Sequence, residues 1–266
     1  MPVTPDLRRD LAPPLVRADG VPAARWWEPA VLPGRWTAVV LGATASLLVL
    51  HLLVSLMRLQ VGDFPLRDPV IRLFRLDAEG GLPAWFTSLL LFLVAQALWR
   101  LGEASTRSAR RRWVRHERVL SIVFVYLSID ELTALHEQTI APLREGLDLD
   151  GLLYYSWVVV FVPLAALLAV FFVGWLRDLP PVAARLIVVS GLLYVGGAAG
   201  VEVVGGLLNS RGLADTMLYS GAVALEEGLE MVGALLMLSA VTWLGGTRGR
   251  PPAPAMTGVP STGLLD

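Results

Sequence analysis

Six long apolar stretches constrain the fold of this chain more than any other feature of its sequence. Each is long enough to cross about 30 Å of hydrocarbon as an α-helix that rises ~1.5 Å per residue. The stretches cover residues 36–57, 85–101, 119–137, 154–176, 183–208 and 217–244. They lack the alternation of polar and apolar residues that membrane β-strands require. The sequence therefore predicts an all-α, polytopic membrane bundle with six transmembrane helices.

The distribution of arginine predicts how these helices are oriented. Arginine supplies all 22 positive charges, since the chain contains no lysine. Cytoplasmic loops carry an excess of basic residues, and 16 of the 22 arginines fall on the side that holds both termini. This predicts an N-in/C-in protein of a bacterial inner membrane. Its predicted parts are a cytoplasmic Pro/Arg-rich segment over 1–35, the six-helix domain over 36–244, and a disordered cytoplasmic tail over 245–266.

Composition excludes several classes of protein. Because there is no cysteine, the chain forms no disulfide and offers no thiolate nucleophile or thiolate ligand. Any metal must then be bound by oxygen and imidazole. The absence of lysine excludes Schiff-base chemistry, and a net charge of -1 gives no indication of nucleic-acid binding. The expected partners are the lipid bilayer and a small cationic or lipid substrate.

Acidic residues inside the predicted spans are the second unusual feature. They are Asp130 and Glu131 in the third span, Glu202 in the fifth, and Glu226, Glu227 and Glu230 in the sixth. A charged residue at the centre of a membrane helix costs about 2.5–3.5 kcal/mol on insertion scales. No arginine lies in the central part of a predicted span, and the histidines at membrane depth are His51 and His136. The carboxyl groups must therefore be protonated, hydrated or coordinated.

Helical spacing and orientation bring these groups together in the outer half of the bundle. On the third predicted span Asp130, Thr133 and Glu137 share one helical face, and His136 lies at its flank. Glu226 and Glu230 lie one turn apart on the sixth span. We therefore expect a site for a divalent metal ion such as Zn, Mn or Fe. Its candidate ligands are His51, Asp130, His136, Glu137, Glu202, Glu226 and Glu230.

Two kinds of function follow from such a pocket. The first is a membrane protein whose outward-facing pocket binds a divalent cation or couples protons to the transport of a small cationic solute. The second is a membrane-embedded, metal-dependent hydrolase or oxidoreductase that acts on lipid or on a periplasmic-side substrate. In that case Glu131 and Glu227 are the candidate acid–base catalysts. Haem bound between His51 and His136 is a third alternative, which matches the acidic surroundings poorly.

Three segments carry a resemblance to a known family: SIDELTALHE, DAEGGLPAWF and LEEGLEMVG. Through them the chain resembles an uncharacterised group of bacterial multipass membrane proteins, over roughly residues 36–244. The resemblance implies a shared helical fold and carries no established activity. Span five also contains a run of small residues for which we expect close helix packing. They are the GxxxG pair Gly196 and Gly200, with Gly191, Gly197, Ala198, Gly205 and Gly206.

Overall fold

The computed structural model of this chain describes residues 34–106 and 110–248, and within these ranges it contains helices and no β-strand. The α-helices are α1 (Gly34–Gln60), α2 (Arg67–Phe74), α3 (Leu82–Thr106), α4 (Val114–Thr133), α5 (Ile140–Leu147), α6 (Val158–Arg177), α7 (Pro181–Val195), α8 (Glu202–Ser210) and α9 (Met217–Arg248). Short 3₁₀ turns precede α4, α5 and α6, and a π-helical segment, Gly196–Val201, joins α7 to α8. The predicted terminal segments, 1–35 and 245–266, lie outside the described residues except for 34–35 and 245–248, which are helical.

Several of these helices are long and apolar enough to cross a membrane. Five qualify: Arg35–Gln60, Leu82–Thr106, Val158–Arg177, Pro181–Ser210 and Met217–Gly246. A sixth candidate is a pair, Arg111–Thr133 and Glu137–Leu147, whose members are bent by 73° with respect to each other. The prediction of an all-helical protein with several potential spans is confirmed. The structure gives five or six such spans, according to whether the bent pair counts as one.

The predicted continuous third helix is wrong beyond Thr133. Ala134 adopts a left-handed conformation with φ of 42°, and its N–H donates to the Asp130 carbonyl at 2.6 Å. This backbone geometry ends a helix. Glu137 therefore begins a separate 3₁₀ turn, and its side chain is exposed. The expected stripe of Asp130 and Glu137 on one helical face does not exist.

Helix α9 lies at the centre of the bundle. It packs against α7, α3 and α1, and residues such as Met231 and Ala240 are fully buried. Helix α3 packs along α4 and contributes Leu91 and Leu98 to the same core. By contrast, much of α6 is exposed, and Val170 retains 72% of its accessible surface. An exposed apolar helix of this kind is suited to contact with lipid.

Two glycines allow the helices beside α9 to approach closely. A Cβ atom on Gly233 would lie 2.9 Å from the Ser190 carbonyl oxygen of α7. A Cβ atom on Gly197 would lie 2.7 Å from the Glu226 carbonyl oxygen of α9. Of the small residues predicted to pack closely in span five, Gly197 does so, whereas a Cβ atom on Gly196 or Gly200 would meet no neighbour within 4 Å.

A polar contact joins the start of α4 to the end of α6. Arg112 forms an ion pair with Asp178, and the Trp113 indole N–H donates to the same carboxylate at 2.6 Å. Arg110 donates to the Asp178 carbonyl at 2.7 Å. Hydrogen bonds from Arg112 and Trp113 hold the pKa of Asp178 below its usual range. These contacts stabilise the arginine-rich end of the bundle, where α4 begins and α6 ends. Two acidic residues lie in the last turn of α4, at the other end of that helix.

Candidate functional site

Acidic side chains from several elements meet beside the middle of α9. Helix α4 supplies two of them near its last turn, and the turn that follows supplies a histidine. Glu202 supplies a third carboxyl group. It is the first residue of α8 and directly follows the π-helical segment. We call the resulting group the acidic cluster. Its members are Asp130, Glu131, His136, Glu202, Glu226, Glu227 and Glu230.

Asp130 and His136 form the best-defined pair in the acidic cluster. The His136 ring donates from Nδ1 to Asp130 Oδ2 at 2.7 Å, and the His136 backbone N–H donates to Asp130 Oδ1 at 2.9 Å. Both oxygens of the carboxylate therefore hold His136, which lies in the turn that follows α4. This arrangement fixes the tautomer of His136 and leaves its Nε2 as the ring nitrogen that can exchange a proton.

Trp157 lies between this pair and Glu202. Its indole N–H donates to Glu202 Oε2 at 2.8 Å, and its ring meets the His136 ring edge-on at 4.9 Å between centroids. Only 7% of Trp157 is exposed. Sequence reasoning missed this residue, since a tryptophan at the end of a predicted span is typical of the membrane interface. The only available signal was its position beside a run of tyrosines.

The three glutamates of α9 form the deeper part of the acidic cluster. Glu230 is 8% exposed and lies close to the hydroxyl of Tyr194 on α7. Glu227 has one fully buried oxygen, Oε2, with no hydrogen-bond partner among the described residues. The π-helical segment packs directly on this part of α9, through the contact of Gly197 with the Glu226 backbone.

Electrostatic interactions connect the two parts of the acidic cluster. Glu131 interacts with both Glu227 and Glu230. Glu202 interacts with both Glu226 and His136. The structure therefore brings together the acidic residues that the sequence singled out, although they come from separate helices. His136 is the one basic group paired with a carboxylate of the cluster in the described part of the chain.

Outside the cluster, Asp77 is a further acidic group that sequence reasoning missed. It forms an ion pair with Arg75 in the connection between α2 and α3, and it interacts electrostatically with Glu226 and Glu137. The pair therefore lies within electrostatic range of the first turns of α9.

His51, predicted as a ligand, is held by the backbone instead. The Leu76 N–H donates to its Nδ1 at 3.0 Å, and its Nε2 lies 3.1 Å from the Ser220 carbonyl oxygen. Because Nδ1 accepts, Nε2 must carry the proton and donate. His51 is 1% exposed, so both bonds are shielded from water. With both ring nitrogens occupied, His51 offers no lone pair to a metal ion or to haem.

The remaining predicted ligands do not form a metal centre in this arrangement. Among the described residues there is no group of three or more histidines, aspartates or glutamates placed to hold one metal ion. The Asp130 carboxylate is directed at His136 and the Glu202 carboxylate at Trp157. Glu137 lies on a separate exposed turn. These residues do not fit the expected Zn, Mn or Fe site, and we derive no metal chemistry from them.

Comparison with known proteins supplies a family and no activity. No curated protein and no solved structure matches the chain significantly. One family model does match, over residues 38–244, which is most of the helical region described above. Its extent agrees with the predicted resemblance to an uncharacterised family. The chain therefore belongs to the family described as a domain of unknown function, DUF8692.

Proposed function

We propose that this protein is a multi-pass inner-membrane protein whose acidic cluster takes up and releases protons and couples their movement to that of a small cationic solute. The observation that carries the proposal is the surplus of carboxyl groups over basic partners at the middle of the bundle. Six carboxyl groups lie near one another, and His136 pairs with one of them.

The cost of buried charge supports protons as the occupants of this cluster. An ionised carboxylate inside a membrane bundle must be paired, hydrated or neutralised, since each unpaired charge costs ~2.5–3.5 kcal/mol on insertion scales. Glu227 Oε2 has no accessible surface and no partner among the described residues. Protonation is the simplest way to neutralise such a group, and acidic chains of this kind are typical of proton relays in pumps and transporters.

The alternative enzymatic function has less support. It requires a metal ion beside the acid–base candidates Glu131 and Glu227, and no group of described residues is placed to hold one. No observation favours a particular hydrolytic or redox reaction. Proton coupling requires only titratable groups within reach of one another.

The proposed orientation has both termini in the cytoplasm and the acidic cluster in the outer half of the bundle. Because the chain has no cysteine, single cysteines can report the side directly. We expect Asp63→Cys, in the connection between α1 and α2, to react with a membrane-impermeant maleimide added to intact cells. Ala104→Cys, near the end of α3, is expected to react only after the membrane is opened. Both positions are exposed. The reverse pattern would contradict the orientation.

Proton exchange is tested with protein reconstituted into liposomes that contain a pH-sensitive dye. We expect the wild-type protein to dissipate an imposed pH gradient when a small organic cation is available for exchange, and a hydrophobic carbodiimide, which modifies protonated buried carboxyl groups, to block this dissipation. Glu227→Gln keeps the shape of the side chain but cannot release a proton. It is expected to slow exchange about 10²-fold, the scale on which loss of a proton-transferring group acts.

Glu103→Gln is the matched control, because Glu103 is an exposed glutamate at the far end of α3. It should leave the exchange rate unchanged. The small organic cations are added outside the liposomes, since an exchanged cation drives protons in the opposite direction. If wild-type liposomes keep their gradient under all these conditions, the proposed function is wrong.

A further inference from the structure

We infer that Trp157 is a positioning residue that holds the Glu202 carboxyl group beside His136 and so sets the pH range over which Glu202 exchanges its proton. The inference rests on the proposed function, because it assigns a role within the same cluster. Trp157 directly precedes α6, a helix whose sequence contains no acidic residue and whose surface is largely exposed.

The indole of Trp157 is fixed on both of its sides. Its N–H donates to Glu202 Oε2 at 2.8 Å, and its ring contacts the His136 ring at an interplanar angle of 63°. The neighbouring Ser156 donates from Oγ to the Ile140 carbonyl of α5 at 2.7 Å, which anchors the start of α6. Phe161, one turn into α6, packs against the same indole at 5.4 Å. The hydrogen bond to Glu202 therefore starts from a rigid side chain.

The chemistry of indole suits it to orient a carboxyl group without competing for its proton. An indole N–H donates only and does not titrate, so it can neither accept nor supply the exchanged proton. The titratable groups that face Glu202 are Asp130 on α4, His136 and Glu137 after α4, Tyr155 before α6, and the three glutamates of α9. Trp157, which does not titrate, gives Glu202 a fixed hydrogen-bond donor, and such a donor favours the ionised form of the Glu202 carboxyl group.

A variant that lacks the indole N–H separates this role from simple packing. Trp157→Phe keeps an aromatic ring beside His136 but removes the donor to Glu202. We expect Glu202 to hold its proton to higher pH in this variant, by about one pH unit, which is tenfold in the ionisation equilibrium. Trp85→Phe is the matched control, since Trp85 is 56% exposed at the start of α3.

The measurement is labelling of Glu202 by a hydrophobic carbodiimide as a function of pH, read by mass spectrometry of the modified peptide. It requires no transport, so it is independent of the liposome experiment. The expected result is an upward shift of the labelling midpoint in Trp157→Phe and none in Trp85→Phe. An unchanged midpoint in Trp157→Phe overturns the inference even if wild-type liposomes exchange protons.

A second measurement serves if Trp157→Phe does not fold. The indole ¹⁵N resonance of Trp157 in the wild-type protein should titrate at the midpoint of Glu202 labelling, and this step should disappear in Glu202→Gln. A resonance that does not respond to pH overturns the inference. The labelling and the resonance can behave as expected while liposomes show no proton exchange. In that case Trp157 does set the pH at which Glu202 ionises, and only the proposed transport function is wrong.

Discussion

Gly233→Ala is expected to destabilise the protein by about 1–3 kcal/mol, the usual cost of forcing an extra carbon into a well-packed interface. The added Cβ atom would lie 2.9 Å from the Ser190 carbonyl oxygen, 3.0 Å from the Tyr194 backbone nitrogen and 3.2 Å from the Tyr194 Cβ atom. Because two of these atoms belong to the backbone of α7, no side-chain rotation relieves the contact. The shift would also strain the hydrogen bond from Ser190 Oγ to the Gly233 carbonyl, now 2.7 Å.

Thermal unfolding in detergent measures this effect. The matched control is Gly221→Ala in the same helix, where an added Cβ atom meets nothing within 4 Å. Alanine is favoured over glycine in a helix by up to ~1 kcal/mol, so the control should be neutral or more stable than the wild-type protein. Equal unfolding temperatures for the two variants would contradict the close approach of α7 to α9.

His51→Leu is expected to cost about 2–5 kcal/mol, because it leaves the Leu76 N–H and the Ser220 carbonyl without partners and each buried orphan costs ~1–3 kcal/mol. Both groups belong to residues that are less than 5% exposed, so water cannot replace the imidazole. The measurement is again thermal unfolding in detergent. His51→Gln, which retains a donor and an acceptor, should recover part of the loss.

Proton exchange gives this substitution a second readout. Since His51 contacts the backbone and no carboxyl group of the acidic cluster, the residual folded protein should exchange protons at the wild-type rate. A variant that is as stable as wild type but does not exchange protons would mean that His51 belongs to the functional site after all.

The sequence predicted most of the fold because bilayer thickness imposes a length on apolar helices. Five of the predicted spans correspond to helices or helix pairs that qualify by length and composition. The third predicted span is not one continuous helix, because the backbone turns at Ala134. Hydropathy and helical spacing do not predict that Ala134 adopts a left-handed backbone and ends α4. They also do not predict that the Asp130 carboxylate accepts a hydrogen bond from His136 in the turn that follows.

The acidic cluster was predictable from composition, but its internal geometry was not. Glu202, Glu226 and Glu230 stood out because each is costly at membrane depth, and the structure brings them near one another. The predicted metal site required Asp130 and Glu137 to lie on one face of a continuous helix. Because α4 ends at Thr133, these two residues do not share a helical face. Trp157 is uncharged, so placing it at membrane depth carries no free-energy cost that would mark it as functional. A tryptophan at the end of a span is also the normal pattern for the membrane interface.

The π-helical segment, Gly196–Val201, has a consequence for how such a cluster can be built. A π turn contains one residue more than an α turn, so it rotates everything that follows by about 100° around the helix axis. Glu202 is the first residue after it, and its carboxyl group meets Trp157. A single additional residue in an apolar helix is thus enough to turn a costly side chain from one neighbour to another, while the helix keeps its path through the bundle.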